Sequence, residues 1–229
     1  MRFFFWLVYS FSRLVKCVTV IIMEQIDFQE IKKNSSLEKL ERETKILNKE
    51  GKPLLMYNRS HEDFDTYELG KRNVNKEGGN HIGFFFSDRD NLEHYGEFKR
   101  SRYLNIKNPL DIRLLGYSTT YRDFRACLSD LGITEKDLAA YDRHFQDMTI
   151  ARNKRIGSIS GLHTPSQPKE GMSDVSMATF NFFDAGDGYY LRKLLIDKGI
   201  DGVIFSDESN MTVIAFEDDQ IINPEDSNT

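Results

Sequence analysis

Only two cysteines, Cys17 and Cys127, occur in the 229 residues. They are too few and too far apart for a disulfide framework or a C-x-x-C metal knuckle, and read as unpaired thiols of a reducing compartment. An excess of one charge is also missing. Against 36 acidic residues stand 31 Lys and Arg, a net charge of −5, and the cations are scattered along the chain. Without a basic stripe, no nucleic-acid partner is expected. The chain lacks the G-x-x-x-x-G-K-[ST] phosphate loop, the G-x-S-x-G nucleophile elbow and the H-E-x-x-H zinc motif. Its five histidines, His61, His81, His94, His144 and His163, have no ligand spacing, so no metal site is expected. Cys127 falls within an amphipathic helical pattern, where a small buried thiol is the ordinary explanation and a nucleophile is not.

Long apolar runs are absent except at the very start. Residues 1–22, MRFFFWLVYSFSRLVKCVTVII, are apolar and cationic, and the chain turns polar from Met23. Arg13 and Lys16 interrupt the run and argue against a membrane span. Arg2 and the apolar stretch Phe3 to Val8 resemble a secretory signal, but no A-x-A-like cleavage site follows. Three readings stay open: an upstream extension ahead of a start at Met23, a signal or membrane-surface segment, and a core element. Membrane contact, or secretion, is expected only if this segment is genuine; otherwise the location is cytoplasmic.

What remains, 39% apolar and 29% charged, suffices for one full core. Residues 23–50 read as a charged helical arm, with Leu37, Leu40 and Ile46 near helical spacing and Gly51 and Pro53 ending it. PLLMY and GFFFSD are short apolar runs, hence buried strands. Between them lies a polar loop centred on KEGGNH. SDRDNLEHYGEF reads as a helix capped by Ser87 or Asp88. RYLNIKNPLDI alternates like a strand stopped at Pro109. From Tyr121 to Ile150 two helices are expected, broken at Gly132, the second capped by Thr134. Residues 157–188 show no period and read as a functional loop or disorder. GYYLRKLLIDKG is a helix with a glycine C-cap, and GVIF and TVIAF are buried strands closed by EDDQIINP. Strands and helices without regular alternation indicate an α+β fold.

Three segments recur in an order of interest: LLMYNRSHEDF, GFFFSDRDNLEHYG and KGIDGVIFSDESNMTVIAFEDDQI. Taken singly they are ordinary strands and turns. Together, and with YYLRKLLIDKGIDGVIF, they resemble the ADP-ribosyltransferase superfamily. The likeness is to the branch of poly(ADP-ribose) polymerases and of the small transferase domains of phage and mobile-element polyvalent proteins. It spans residues 51–224, leaving 225–229 as a tail.

The resemblance implies a split β-sandwich around a bound NAD. It places the ribose contact normally made by His at Asn58, with Tyr57 before it, Arg59 at a family glycine and Ser60 closing the motif. Gly83, Phe85 and Ser87 match the second segment, and Phe85 with Tyr95 would stack on the nicotinamide. Thr212 stands where the family has the catalytic Glu, whose charge stabilises the oxocarbenium-like transition state. Glu208 and Glu217 are the carboxylates near enough in sequence to replace it.

Three functions follow as expectations. The first is an NAD-dependent mono-ADP-ribosyltransferase or NAD glycohydrolase with a divergent site and a protein acceptor. The second is a non-catalytic descendant binding NAD, ADP-ribose or a protein partner. The third is an unrelated α+β interaction module. A bacteriophage or bacterial-effector role, with host cytoplasm as its location, would follow from the resemblance alone.

Overall fold

The computed structural model describes residues 38–64, 66–69, 82–90, 93–160, 176–207 and 210–224. The apolar leader, the arm before residue 38, the KEGGNH loop, Glu208 and the tail lie outside them.

Among the described residues nine strands and four helices make an α+β fold, as expected. The strands are β1 (Met56–Ser60), β2 (Phe84–Ser87), β3 (Phe98–Leu104), β4 (Pro109–Asp111), β5 (Ser118–Thr120), β6 (Ser176–Ala178), β7 (Gly202–Asp207), β8 (Asn210–Ala215) and β9 (Ile221–Ile222). The helices are α1 (38–43), α2 (Tyr121–Asp130), α3 (Glu135–Ser160) and α4 (Tyr189–Asp197). Seven strands form one sheet in the order β4-β7-β8-β2-β1-β3-β9, with β4 parallel to β7 and the other pairs antiparallel. β5 and β6 pair separately.

Strand alternation gives this sheet two different faces. Val203, Phe205 and Ile214 point to one side and join Phe124, Leu128, Leu138, Phe145, Phe182 and Leu191 in the main core under the helices. Ile204, Val213, Ala215, Phe86 and Met56 point to the other and pack with Ile46, Leu104 and Ile106. β7 and β8 therefore carry continuous apolar runs because both of their faces are covered. Burying each such side chain stabilises the fold by about 1.5–3 kcal/mol. Tyr121 stacks on Phe145 with ring centroids 4.1 Å apart, and Phe124 on Phe182 at 4.8 Å.

Several expectations hold. Gly132 separates α2 from α3, and Thr134 Oγ1 accepts the Asp137 N–H at 3.2 Å as the cap. Gly199 closes α4, with its N–H on the Ile196 carbonyl at 2.8 Å.

Others change. The helix expected after β2 is reduced, among the described residues, to a single 3₁₀ turn at Glu93–Tyr95. Of its would-be caps, Asp88 is engaged elsewhere: Asp88 Oδ1 accepts the Met211 N–H and the Asp88 N–H donates to the Met211 carbonyl, both at 3.0 Å. Pro109 starts β4 instead of ending a strand. It is the first residue of an edge strand, where a missing N–H costs little. Of the arm's described residues, 38–43 are helical. From there Thr44 Oγ1 donates to the Leu104 carbonyl at 2.6 Å, and Leu47 bridges Pro53 as extended chain. Of the aperiodic stretch 157–188, only 161–175 lies outside the description. The rest is the end of α3, β6, and a 3₁₀ run at Thr179–Gly188 that buries Phe182, Phe183 and Ala185. A 3₁₀ path of three residues per turn shows neither helical nor strand periodicity.

Candidate functional site

The three segments singled out in the sequence lie side by side as β1, β2 and β8. Tyr57 is opposite Ser87, Ser87 opposite Thr212, and Thr212 opposite Phe205, so these four form one row across the sheet. Directly opposed residues share a face and neighbours in sequence do not. Tyr57, Arg59, Phe85, Ser87 and Thr212 therefore sit on the helix-bearing face, whereas Asn58 and Ser60 share the other with Phe86. The alternation divides four consecutive residues, Tyr57 to Ser60, between two sides of the sheet.

The sheet is split at this point. β1 pairs with β3 through five residues, from Met56↔Arg102 to Ser60↔Phe98, but with β2 only at Tyr57↔Ser87. Across the gap Asn58 Nδ2 donates to the Phe85 carbonyl at 2.9 Å. Asn58 Oδ1 is buried and has no hydrogen-bond partner among the described residues, an acceptor left open at the split. Gly83 precedes β2 because nothing larger fits: a Cβ there would lie 2.3 Å from the Ala215 carbonyl oxygen.

Arg59 reaches from β1 to the segment after β2. Its guanidinium donates to the Asp90 carbonyl at 2.9 Å and to Asp90 Oδ1 at 3.0 Å, with a longer contact of 3.4 Å to the Gly96 carbonyl. Its side chain is only 12% exposed, and its buried Nε–H has no acceptor among the described residues. Lys99, directly opposite Arg59 on β3, binds the other Asp90 oxygen at 2.7 Å. Hydrogen bonding from Lys99 is the main cause that holds the Asp90 carboxyl below its ordinary range. Partial loss of hydration opposes it and the Arg59 contact adds to it. Gly96 lies flat on the end of β1, where a Cβ would sit 2.0 Å from the Ser60 carbonyl carbon. Tyr95, just before it, is 52% exposed.

Behind this edge the buried Arg100 organises the turn after β1. It donates to the Phe64 carbonyl at 2.9 Å, Ser60 Oγ at 3.0 Å and Asp63 Oδ1 at 2.6 Å, with its guanidinium 3.7 Å above the Phe64 ring. Ser60 Oγ in turn donates to the Glu62 carbonyl. Arg100, Lys99 and Asp90 were not marked by the sequence. In FKRSRYL the cations Lys99, Arg100 and Arg102 fall on both faces of a strand, and only the pairing register shows which of them meets which residue of β1.

The other expected residues are held by structural contacts. Phe85 packs against the main core. Thr212 is buried in mid-β8. Glu217 caps the turn Asp218–Gln220 in a reciprocal box with Gln220, and its carboxylate accepts from Arg192. Cys127 is half-buried against the core, and burial, with Asp130 and Asp123 adding to it, raises its thiol pKa. It is no poised nucleophile. An open cavity of about 520 Å³ between α2 and α3, lined by Tyr121, Arg125, Ser129, Asp142 and Gln146, contains none of the expected site residues. Among the described residues no group of three His, Cys, Asp or Glu could hold a metal ion, and no helix is long and apolar enough to cross a membrane.

A mixed sheet covered by helices on one face and split between its first two strands defines an ADP-ribosyltransferase-like α+β domain. The chain belongs to the family described as ADP-ribosyltransferase in polyvalent proteins, whose model matches residues 48–229. No curated protein matches it. Among solved structures it is similar to one described as the crystal structure of an anti-CRISPR protein, at 14% identity, covering 73% of this chain and 91% of that one. The TM-score is 0.31, and that likeness carries no argument.

Proposed function

We propose that this chain is an NAD- or ADP-ribose-binding member of its family in which the transfer chemistry is lost. The observation that carries the reading is the absence, among the described residues, of a free carboxylate at the row Tyr57, Ser87, Thr212. Thr212 is uncharged and buried, and Glu217 is committed to Arg192 and to its turn. A hydroxyl cannot offset the positive charge that develops as nicotinamide leaves. Losing one preorganised group of this kind costs about 3 kcal/mol, or roughly 10²–10³ in rate.

Features suited to holding the ligand persist. Asn58 Oδ1 is an open acceptor for a ribose hydroxyl, and Asn58 Nδ2 fixes the amide's orientation on Phe85. Tyr95 offers an exposed ring for stacking on the cationic nicotinamide. Arg59 stands where the family has glycine, and its side chain is drawn aside onto Asp90 and Gly96. If NAD is the ligand, the chemistry it supplies is a labile glycosidic bond to nicotinamide. This chain's residues then bind and orient it.

The full chain is incubated with labelled NAD, following nicotinamide release and protein labelling, with binding of NAD and ADP-ribose measured by calorimetry. Binding without release is expected, together with detectable release from the double variant Thr212→Glu, Asn58→His. Release by the parent protein that is abolished in Glu208→Gln would show an active transferase and refute the loss of chemistry. No heat with either ligand would refute the binding reading.

A further inference from the structure

Arg59 and Lys99 are like charges placed directly opposite each other on β1 and β3, an arrangement that is unfavourable unless an anion lies between them. Asp90 supplies that anion, one carboxylate oxygen to each cation, at 3.0 and 2.7 Å. Three features make its tenure exchangeable. The carboxylate and the ammonium are both open to water, with the Asp90 and Lys99 side chains 47% and 44% exposed. The buried Arg59 Nε–H has no acceptor among the described residues, so the guanidinium holds an unused donor in its fork. And Arg59 keeps a hold on the segment through the Asp90 and Gly96 carbonyls when the carboxylate leaves, so exchange needs only a side-chain rotation.

We propose that Arg59 and Lys99 form a subsite for a diphosphate, and that Asp90 fills it as an internal competitor which the ligand displaces. A single carboxylate carries one negative charge, and a diphosphate brings two or more with oxygens spread far enough to take both cations and Nε–H. The Tyr57 ring lies beside the same place, 5.8 Å beneath the Lys99 ammonium, as a surface for the group the diphosphate carries. For its ligand class this assignment rests on the binding function proposed above. It adds the anchoring point, at which the ligand competes with a tethered carboxylate.

The test titrates inorganic pyrophosphate, and separately NAD, into the full chain and into Asp90→Asn, Lys99→Met and Arg59→Met, using calorimetry and ³¹P NMR. Asn keeps the size of Asp90 but not its charge. Pyrophosphate is expected to bind Asp90→Asn about tenfold more tightly than the parent. It should bind Lys99→Met at least about fivefold more weakly, and this variant alters only a half-exposed side chain and keeps the test open if Arg59→Met does not fold. Equal or weaker binding to Asp90→Asn, or unchanged binding to Lys99→Met, would overturn the subsite. The two ligands separate the claims. Pyrophosphate binding with the expected variant pattern but no NAD binding keeps the subsite and refutes the NAD reading, while NAD binding indifferent to all three variants does the reverse.

Discussion

Replacing Arg100 by Met keeps the length and apolar stem of the side chain and removes its guanidinium from a site only 8% exposed. The loss can be worked through contact by contact. Asp63 is 74% exposed, so its carboxylate rehydrates and the ion pair itself is worth little. The Phe64 carbonyl and Ser60 Oγ lose a charged donor, at about 1–1.5 kcal/mol each once partial rehydration is allowed for. The guanidinium stacked on Phe64 contributes about 1 kcal/mol more. The sum is about 3 kcal/mol, which in a protein of this size lowers the melting temperature by roughly 6–12 °C. The damage should be local first: the turn from Ser60 to Phe64 loses its anchor and becomes a site of limited proteolysis before the sheet melts. Arg100→Lys restores charge without the planar fork and should recover less than half of the loss. Calorimetric melting with protease mapping checks this. An Arg100→Met protein melting within about 2 °C of the parent, or Arg100→Lys matching the parent, would refute the role assigned to the fork.

Two further outcomes are expected. Gly83→Ala places a methyl 2.3 Å from the Ala215 carbonyl oxygen and 2.7 Å from Ile214 Cγ2, so β2 must part from β8; denaturant unfolding should show a loss of about 3 kcal/mol or more, and a loss under about 1 kcal/mol would contradict the close approach. Burial, and then its hydrogen bond to Asp142, raise the Tyr121 phenol above its ordinary 10.0. The unfolded chain therefore releases this proton first, and stability is kept below pH 10 and falls as pH rises beyond it, by up to about 1.4 kcal/mol per pH unit. Tyr121→Phe should be less stable at neutral pH but show a shallower decline between about pH 10 and 11.5; parallel slopes would refute the assignment.

Much of the architecture was legible before the structure. GVIF and TVIAF read as buried strands because both faces of β7 and β8 are covered, which makes the runs Val203–Phe205 and Val213–Ala215 apolar. Thr134 and Gly132 read correctly because caps and breaks are set by short-range hydrogen bonding and backbone preference. The family resemblance rested on the same local features. Where reading failed, a distant partner had claimed a residue. Asp88 looked like a helix cap until Met211 took it into the sheet, and Pro109 looked like a stop until β4 was placed at an edge.

The sequence by itself determined the strands β1, β2, β7 and β8, the helices α2 to α4, and that the carboxylate expected at position 212 is a threonine. Only the tertiary structure decided which side chains share a face. Strand periodicity is the same for either register, and a slip of one residue exchanges the two faces without altering any local preference. It took the pairing of β1 with β3 to set Arg59 against Lys99 with Asp90 between them, to leave Asn58 Oδ1 open at the split, and to bury Arg100 beneath the turn. Charged residues in an alternating strand carry no mark of which will meet. That is fixed by contacts between segments some 40 residues apart.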